Sequence, residues 1–221
     1  MRRNTAHVIP LDGKGGHIQE SSLDISYRLE RTDDGMFLGR AWMSEWGVPF
    51  KIGATCVDSG GQHTQVAYDF CRPRASRNIW AIKGSSWSKR GDPVWPIPKV
   101  RKTRDWGYKP VVIAVDSAKD HIRNILLTDE QGPGYFHIPE QRSDAWLEQL
   151  TAERQVYEKK AGVTIRKWVL PKGRANEAFD TLIYAYAALC GLKAVRGLDM
   201  AKAAAQLPTQ VAMYKKGDKL G

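Results

Sequence analysis

Three short apolar runs do most to constrain how this chain can fold. FKIGATCV (50–57), NIWAIKG (78–84) and PVVIAV (110–115) are compact, rich in Val, Ile and Ala, and bounded by Gly, Pro, Asn or Asp. Runs of that length and character suit strands buried in a sheet. Between and after them lie stretches of helical character, TQVAYDFCR (64–72) and SAKDHIRNILL (117–127). Thr64 and Ser117 are placed to cap those helices. Strands that alternate with helices predict an α/β layered sheet. In such sheets chemistry collects at the carboxyl ends of the strands. Asp58 and Asp116 each follow an apolar run directly, so both are expected at such an end.

The rest of the chain reads in the same alternating way. DISYRLERTDDGMFLGRAW (24–42) suits a helix or a mixed segment, GYFHIP (134–139) a short strand, and SDAWLEQLTAERQVYEKK (143–160) an amphipathic helix. VTIRKWVL (163–170) predicts a strand, and NEAFDTLIYAYAALCGL (176–192) a last apolar helix begun by Asn176. The expected organisation is an irregular segment over 1–22, one domain over 23–192, and a frayed Lys- and Ala-rich tail over 193–221. A length of 221 residues suits one such domain with tails.

No run approaches 18 consecutive apolar residues, so no membrane span is expected. The first residues, MRRNTAHVIP, lack the apolar region of a secretory signal. Cys56, Cys71 and Cys190 are odd in number and widely spaced, which fits neither a disulfide framework nor a zinc knuckle. A reducing cytoplasm is the expected setting. GxxxxGK[ST] is absent, so no phosphate-cradling ATPase loop is expected.

The formal net charge is +10 and is concentrated. Residues 72–104 carry ten Lys or Arg against a single acid, Asp92, with Trp80, Trp87 and Trp95 interleaved. Such a segment attracts phosphate backbones through counterion release, and its aromatics can pack on sugars or bases. A solvated loop anchored by its tryptophans is the other reading.

The final helix opens GRANEAFD (173–180), which sets Glu177 and Asp180 one turn apart on one face. Acids there also complement the helix dipole, at roughly 0.3–1 kcal/mol each. Together with Asp58 and the basic segment, however, they are the parts of a metal-dependent nuclease. Mg²⁺ or Mn²⁺ prefers carboxylate oxygens and retains waters, and two such ions can clamp the attacking and leaving oxygens of a phosphodiester. The cations outside the cluster would offset its repulsion of a polyanion.

IGATCVDSGGQHTQVAYDFCRPR…IWAIKG, then VDSAKDHI, GPGYFHIP, LTAE and GRANEAFDTLIYAYAAL occur in that order. This succession resembles the nuclease domain of phage terminase large subunits of the lambda-like GpA family, over about residues 40–192. The resemblance implies an RNase H-like α/β fold, with a mixed central sheet flanked by helices. It implies a metal-dependent endonuclease that cuts concatemeric double-stranded DNA in genome packaging, in the cytoplasm of a bacterial host. A small terminase subunit and a portal or procapsid are the implied partners, with no membrane.

By motif, Asp58 matches the family's second acidic position and Asp180 the third, with Glu177 as companion. These three are the implied metal ligands and, with Asp116, the implied catalytic set. Lys119 shares the D-[ST]-A-K segment with Asp116. Lys83, Lys89, Arg90, Arg101, Lys102, Arg104 and Lys119 are the expected DNA contacts, and His63 stands near Asp58. The family's first Asp lies on an early strand. Here 57 residues precede Asp58, and Asp12 and Asp24 are placed loosely where it would fall without matching it. The amino-terminal strands are therefore expected to be missing or rebuilt. The alternative is a catalytically inactive remnant that only binds DNA or the packaging complex. A weaker one is another RNase H-like enzyme, of resolvase or integrase type.

Overall fold

A computed structural model describes residues 37–215 apart from 45–47, 86–90, 97–107, 131, 133 and 161. Asp12, Asp24, Lys89, Arg90, Arg101, Lys102, Arg104 and the 1–22 segment lie outside the described residues.

After a small antiparallel pair, β1 (Trp42–Met43) with β2 (Pro49–Phe50), come β3 (Thr55–Asp58), α1 (Thr64–Cys71), a 3₁₀ turn (Arg72–Arg77) and β4 (Ile79–Gly84). Then follow β5 (Val111–Ile113), α2 (Val115–Leu126), α3 (Asp144–Leu150), β6 (Arg154–Lys160), β7 (Val163–Val169), α4 (Glu177–Arg196) and α5 (Met200–Lys215).

Over the described residues the central sheet has the order β3-β4-β5 and is parallel, not mixed as expected, with Asp58 beside Ile82 and Ile82 beside Val111. β4 lies between the other two, which explains its unbroken apolar sequence. Its side chains alternate across the sheet. Trp80 and Ile82 enter one core with Ile113, Ala118, Ile122, Phe179 and Ile183. Ile79 and Ala81 enter another with Leu38, Phe70 and Cys71. Thus α2 and α4 cover one face, and α1 covers the other.

At 20 residues with a mean hydropathy of 1.3, α4 is long and apolar enough to cross a bilayer. Its packing explains that composition, because Ala178, Phe179, Ile183, Ala187, Ala188 and Gly191 are buried against the sheet and neighbouring helices. Gly191 admits the closest approach: a Cβ there would lie 2.8 Å from the Trp80 ring and 2.9 Å from Trp95.

Several local expectations are corrected. Asp116 is not at a strand end, since β5 stops at Ile113 and α2 has begun by Val115. Ser117 is accordingly inside the first turn of α2, and Ala114 holds the cap position. Thr64 is the first residue of α1, and its hydroxyl donates to the Ser59 carbonyl at 2.8 Å, with the Gly61 carbonyl at 2.9 Å. Residues 135–139 form no strand.

The long helix expected over 143–160 ends at Leu150, and Arg154–Lys160 pairs antiparallel with β7. That hairpin turns at Gly162, which has φ +78°, a conformation glycine adopts without steric cost. Asp120 of α2 anchors the ribbon by accepting from Gln155, Arg166 and Trp168. The tail expected to fray from Lys193 instead continues α4 to Arg196, turns at Gly197 and forms α5.

Candidate metal and phosphodiester site

The tip of β3 is shaped by its own side chains. The Ser59 hydroxyl and backbone N–H both donate to the Ile82 carbonyl, at 2.8 and 2.9 Å, which extends the β3–β4 pairing past the strand. Asp58 then turns the chain by accepting from the Gly60 N–H through Oδ1 at 2.9 Å. Such an Asx turn is what a short acidic side chain before Gly does well. The carboxylate remains exposed, at the carboxyl edge of the sheet.

Facing it is the first turn of α4. Tyr184 follows Asp180 by four residues, hence one turn along the same face, and its hydroxyl donates to Asp58 Oδ2 at 3.3 Å. Burial pushes Asp180 up to about 6 from its ordinary 3.8; Lys119 opposes the shift, while Glu153, Glu177 and Asp58 add to it. Burial, aided by the Asp58 and Asp180 charges, likewise holds the Tyr184 phenol above its usual range, so it remains a donor. Asp58, Asp180 and Glu177 therefore share one electrostatic neighbourhood, with Glu177 exposed at its rim.

Behind Asp180 lies a group that joins Lys119 to two residues not anticipated at a site from the sequence, Glu153 and Asn176. Glu153, in the turn between α3 and β6, has a side chain 3% exposed. Both its oxygens lie 2.6 Å from the Lys119 ammonium. Asn176 donates to Glu153 Oε1 at 2.7 Å and to Asp180 Oδ2 at 3.0 Å. Lys119, expected on DNA, is thus committed to Glu153 and is 11% exposed. Asp116 lies on this far side: burial raises its proton affinity, and the charges that act on it are Lys119, Asp120, Arg166 and Glu153. Lys83 is exposed on β4, one residue beyond the partner of Asp58. His63 takes the residue before α1.

The donor set fits one hard divalent ion. Mg²⁺ and Mn²⁺ are held through one or two carboxylates and keep several waters. Asp58 and Asp180 supply two; burial is the main cause of the raised proton affinity of Asp180, and the neighbouring Glu153, Glu177 and Asp58 charges add to it. Among the described residues no group of three or more His, Cys, Asp and Glu side chains is placed to hold a metal. A signal for the missed residues existed: Tyr184 has helical spacing from Asp180, and Glu153 closes the LTAE motif.

A family model described as the terminase large subunit gpA endonuclease domain matches residues 29–200. The terminase large subunit of Escherichia phage lambda is 33% identical over 175 residues, covering 75% of this chain and 26% of that protein. The terminase large subunit of Enterobacteria phage P21 is 30% identical over 151 residues, covering 65% and 23% respectively. The chain thus spans about a quarter of the length of these curated relatives. No solved structure gives a significant match. With residues 29–200 matched, the chain belongs to the endonuclease-domain family of the gpA terminase large subunits.

Proposed function

We propose that this domain hydrolyses phosphodiester bonds of double-stranded DNA, with Asp58 and Asp180 holding a divalent cation, as the cutting part of a packaging terminase. The observation that carries the reading is that Asp58 on β3 and Asp180 on α4 lie within each other's electrostatic influence, with Tyr184, one turn beyond Asp180, donating to Asp58. Mg²⁺ or Mn²⁺ bound there would polarise the scissile phosphate and make water a better nucleophile near neutral pH. Asp58, fixed by the Gly60 N–H, and Asp180, fixed by Asn176, orient the ion's oxygen ligands. Glu177 at the rim adds negative charge without completing, among the described residues, a group of three ligands. Lys83, exposed one residue beyond the partner of Asp58, would draw the polyanion to the carboxyl edge of the sheet. One acid at a strand end and another on the last core helix suit an RNase H-like arrangement, although the three described strands are parallel where that fold implies a mixed sheet. A two-metal clamp requires one more ligating carboxylate, which the amino-terminal residues would have to supply. A small terminase subunit and a portal are the partners this role implies.

The test is nicking of supercoiled plasmid by the purified chain in Mn²⁺, with EDTA as control. Mn²⁺-dependent nicking that Asp58→Asn removes supports the proposal. Nicking untouched by that change sinks the site, and an inert parent that still binds plasmid supports a non-cutting DNA-binding module.

A further inference from the structure

We infer that Asn176 is a positioning residue that orients Asp180, held in register by the buried Lys119–Glu153 pair. The inference rests on the metal role proposed for Asp58 and Asp180.

Asn176 occupies the N-cap position of α4, where an Asn oxygen ordinarily accepts from a backbone N–H of the first turn. It makes no such cap bond. Gln149 of α3 performs that task instead, accepting from the Ala178 N–H at 3.0 Å. The Asn176 amide nitrogen, which a cap bond would not use, directs its two hydrogens at two carboxylates, Glu153 and Asp180. The orientation of the amide is not arbitrary. Reversed, its carbonyl oxygen would face two carboxylates and repel both.

The chain of contacts runs through three parts of the fold. Lys119 on α2 holds both oxygens of Glu153, at the α3–β6 turn, and Glu153 holds Asn176 at the start of α4. Fixing Asp180 Oδ2 stops the carboxyl from turning about its Cβ–Cγ bond and determines where Oδ1 stands for an ion. Partners of this kind, one bond removed from a ligand, commonly govern metal affinity.

The experiment is titration of the full chain with Mn²⁺ followed by electron paramagnetic resonance, with metal-free melting as the fold control. Asn176→Ala is expected to weaken Mn²⁺ binding about 10- to 100-fold, and Asp180→Asn at least as much. The double variant should bind no more weakly than Asp180→Asn, because Asn176 acts through that residue. Asn176→Ser, which suits an N-cap and offers one donor in place of two, should weaken binding in the same direction. Gln149→Ala removes the actual cap, so it should lower the melting point and leave Mn²⁺ affinity unchanged. Parent-like affinity in both Asn176 variants, or losses that add in the double variant, would overturn the inference while leaving the metal site standing. Parent-like affinity in Asp180→Asn, or a parent that binds no Mn²⁺, would overturn the metal reading itself.

Discussion

Replacing Lys119 with Met should destabilise the domain far more than loss of an ordinary surface charge. Exposed ion pairs contribute about 0–1 kcal/mol. This pair is different, with side chains 11% and 3% exposed and contacts of 2.6 Å to both carboxylate oxygens. Removing one partner of a buried pair strands the other charge, at a cost of about 3–5 kcal/mol. For a domain of this size about 1 kcal/mol moves the melting point by roughly 2–4 °C, so Lys119→Met should lower it by about 6–20 °C. Glu153→Gln, which strands the ammonium, should do much the same. The double variant removes both charges of the pair together, and a Gln oxygen can still accept from Asn176. It should melt near the parent, giving a coupling of several kcal/mol in the cycle. Calorimetry and urea denaturation of all four proteins read the outcome. Lys119→Met within about 1 kcal/mol of the parent, or a double variant as unstable as both singles combined, would refute the reasoning.

Three further outcomes are expected. In metal-free protein the folded state holds a proton on Asp180 up to about pH 6, whereas the ordinary value is 3.8. The stability this group contributes is therefore complete below about 3.8 and lost as pH rises through 6. Across that window in EDTA, Asp180→Asn should gain stability relative to the parent; a constant difference contradicts the assignment. Gly191→Ala drives a Cβ into Trp80 and Trp95 at 2.8–2.9 Å, an overpacking cost of about 1–3 kcal/mol that outweighs the roughly 1 kcal/mol gained in helix propensity. Urea denaturation of a variant at least as stable as the parent would show that the rings yield. Changing Arg101, Lys102 and Arg104 together to Ala should flatten the log–log salt dependence of DNA affinity by about 2–3 units if each meets a phosphate. An unchanged slope would remove that segment from the DNA footprint.

The strands of the central sheet were legible because burial on both faces leaves a continuous apolar run, as in β4, and because Asp58 ends such a run. The start of the last helix, which carries Asp180, was legible from Asn176 and the apolar run that follows it. What escaped depended on tertiary partners. The segment over 154–160 carries enough charge to pass for a helix surface, and its strand character comes from pairing with β7 and from the Asp120 anchor. Asn176 was read correctly as the start of α4. Its side chain holds Glu153 and Asp180 while Gln149, 27 positions earlier, accepts the Ala178 N–H in its place, a relation that no local pattern encodes. Glu153 and Lys119 carry no local mark of burial, since each sits among polar neighbours in the sequence.

The central claim is that Asp58 and Asp180 act as one unit, and the most direct measurement is the Mn²⁺-dependent rate of plasmid nicking for the parent, Asp58→Asn, Asp180→Asn and the double variant. Each single change should abolish most of the rate, and the double variant should be no slower than the worse single, as residues of one unit behave. Nicking that persists in both single variants, or losses that multiply in the double, would contradict the account.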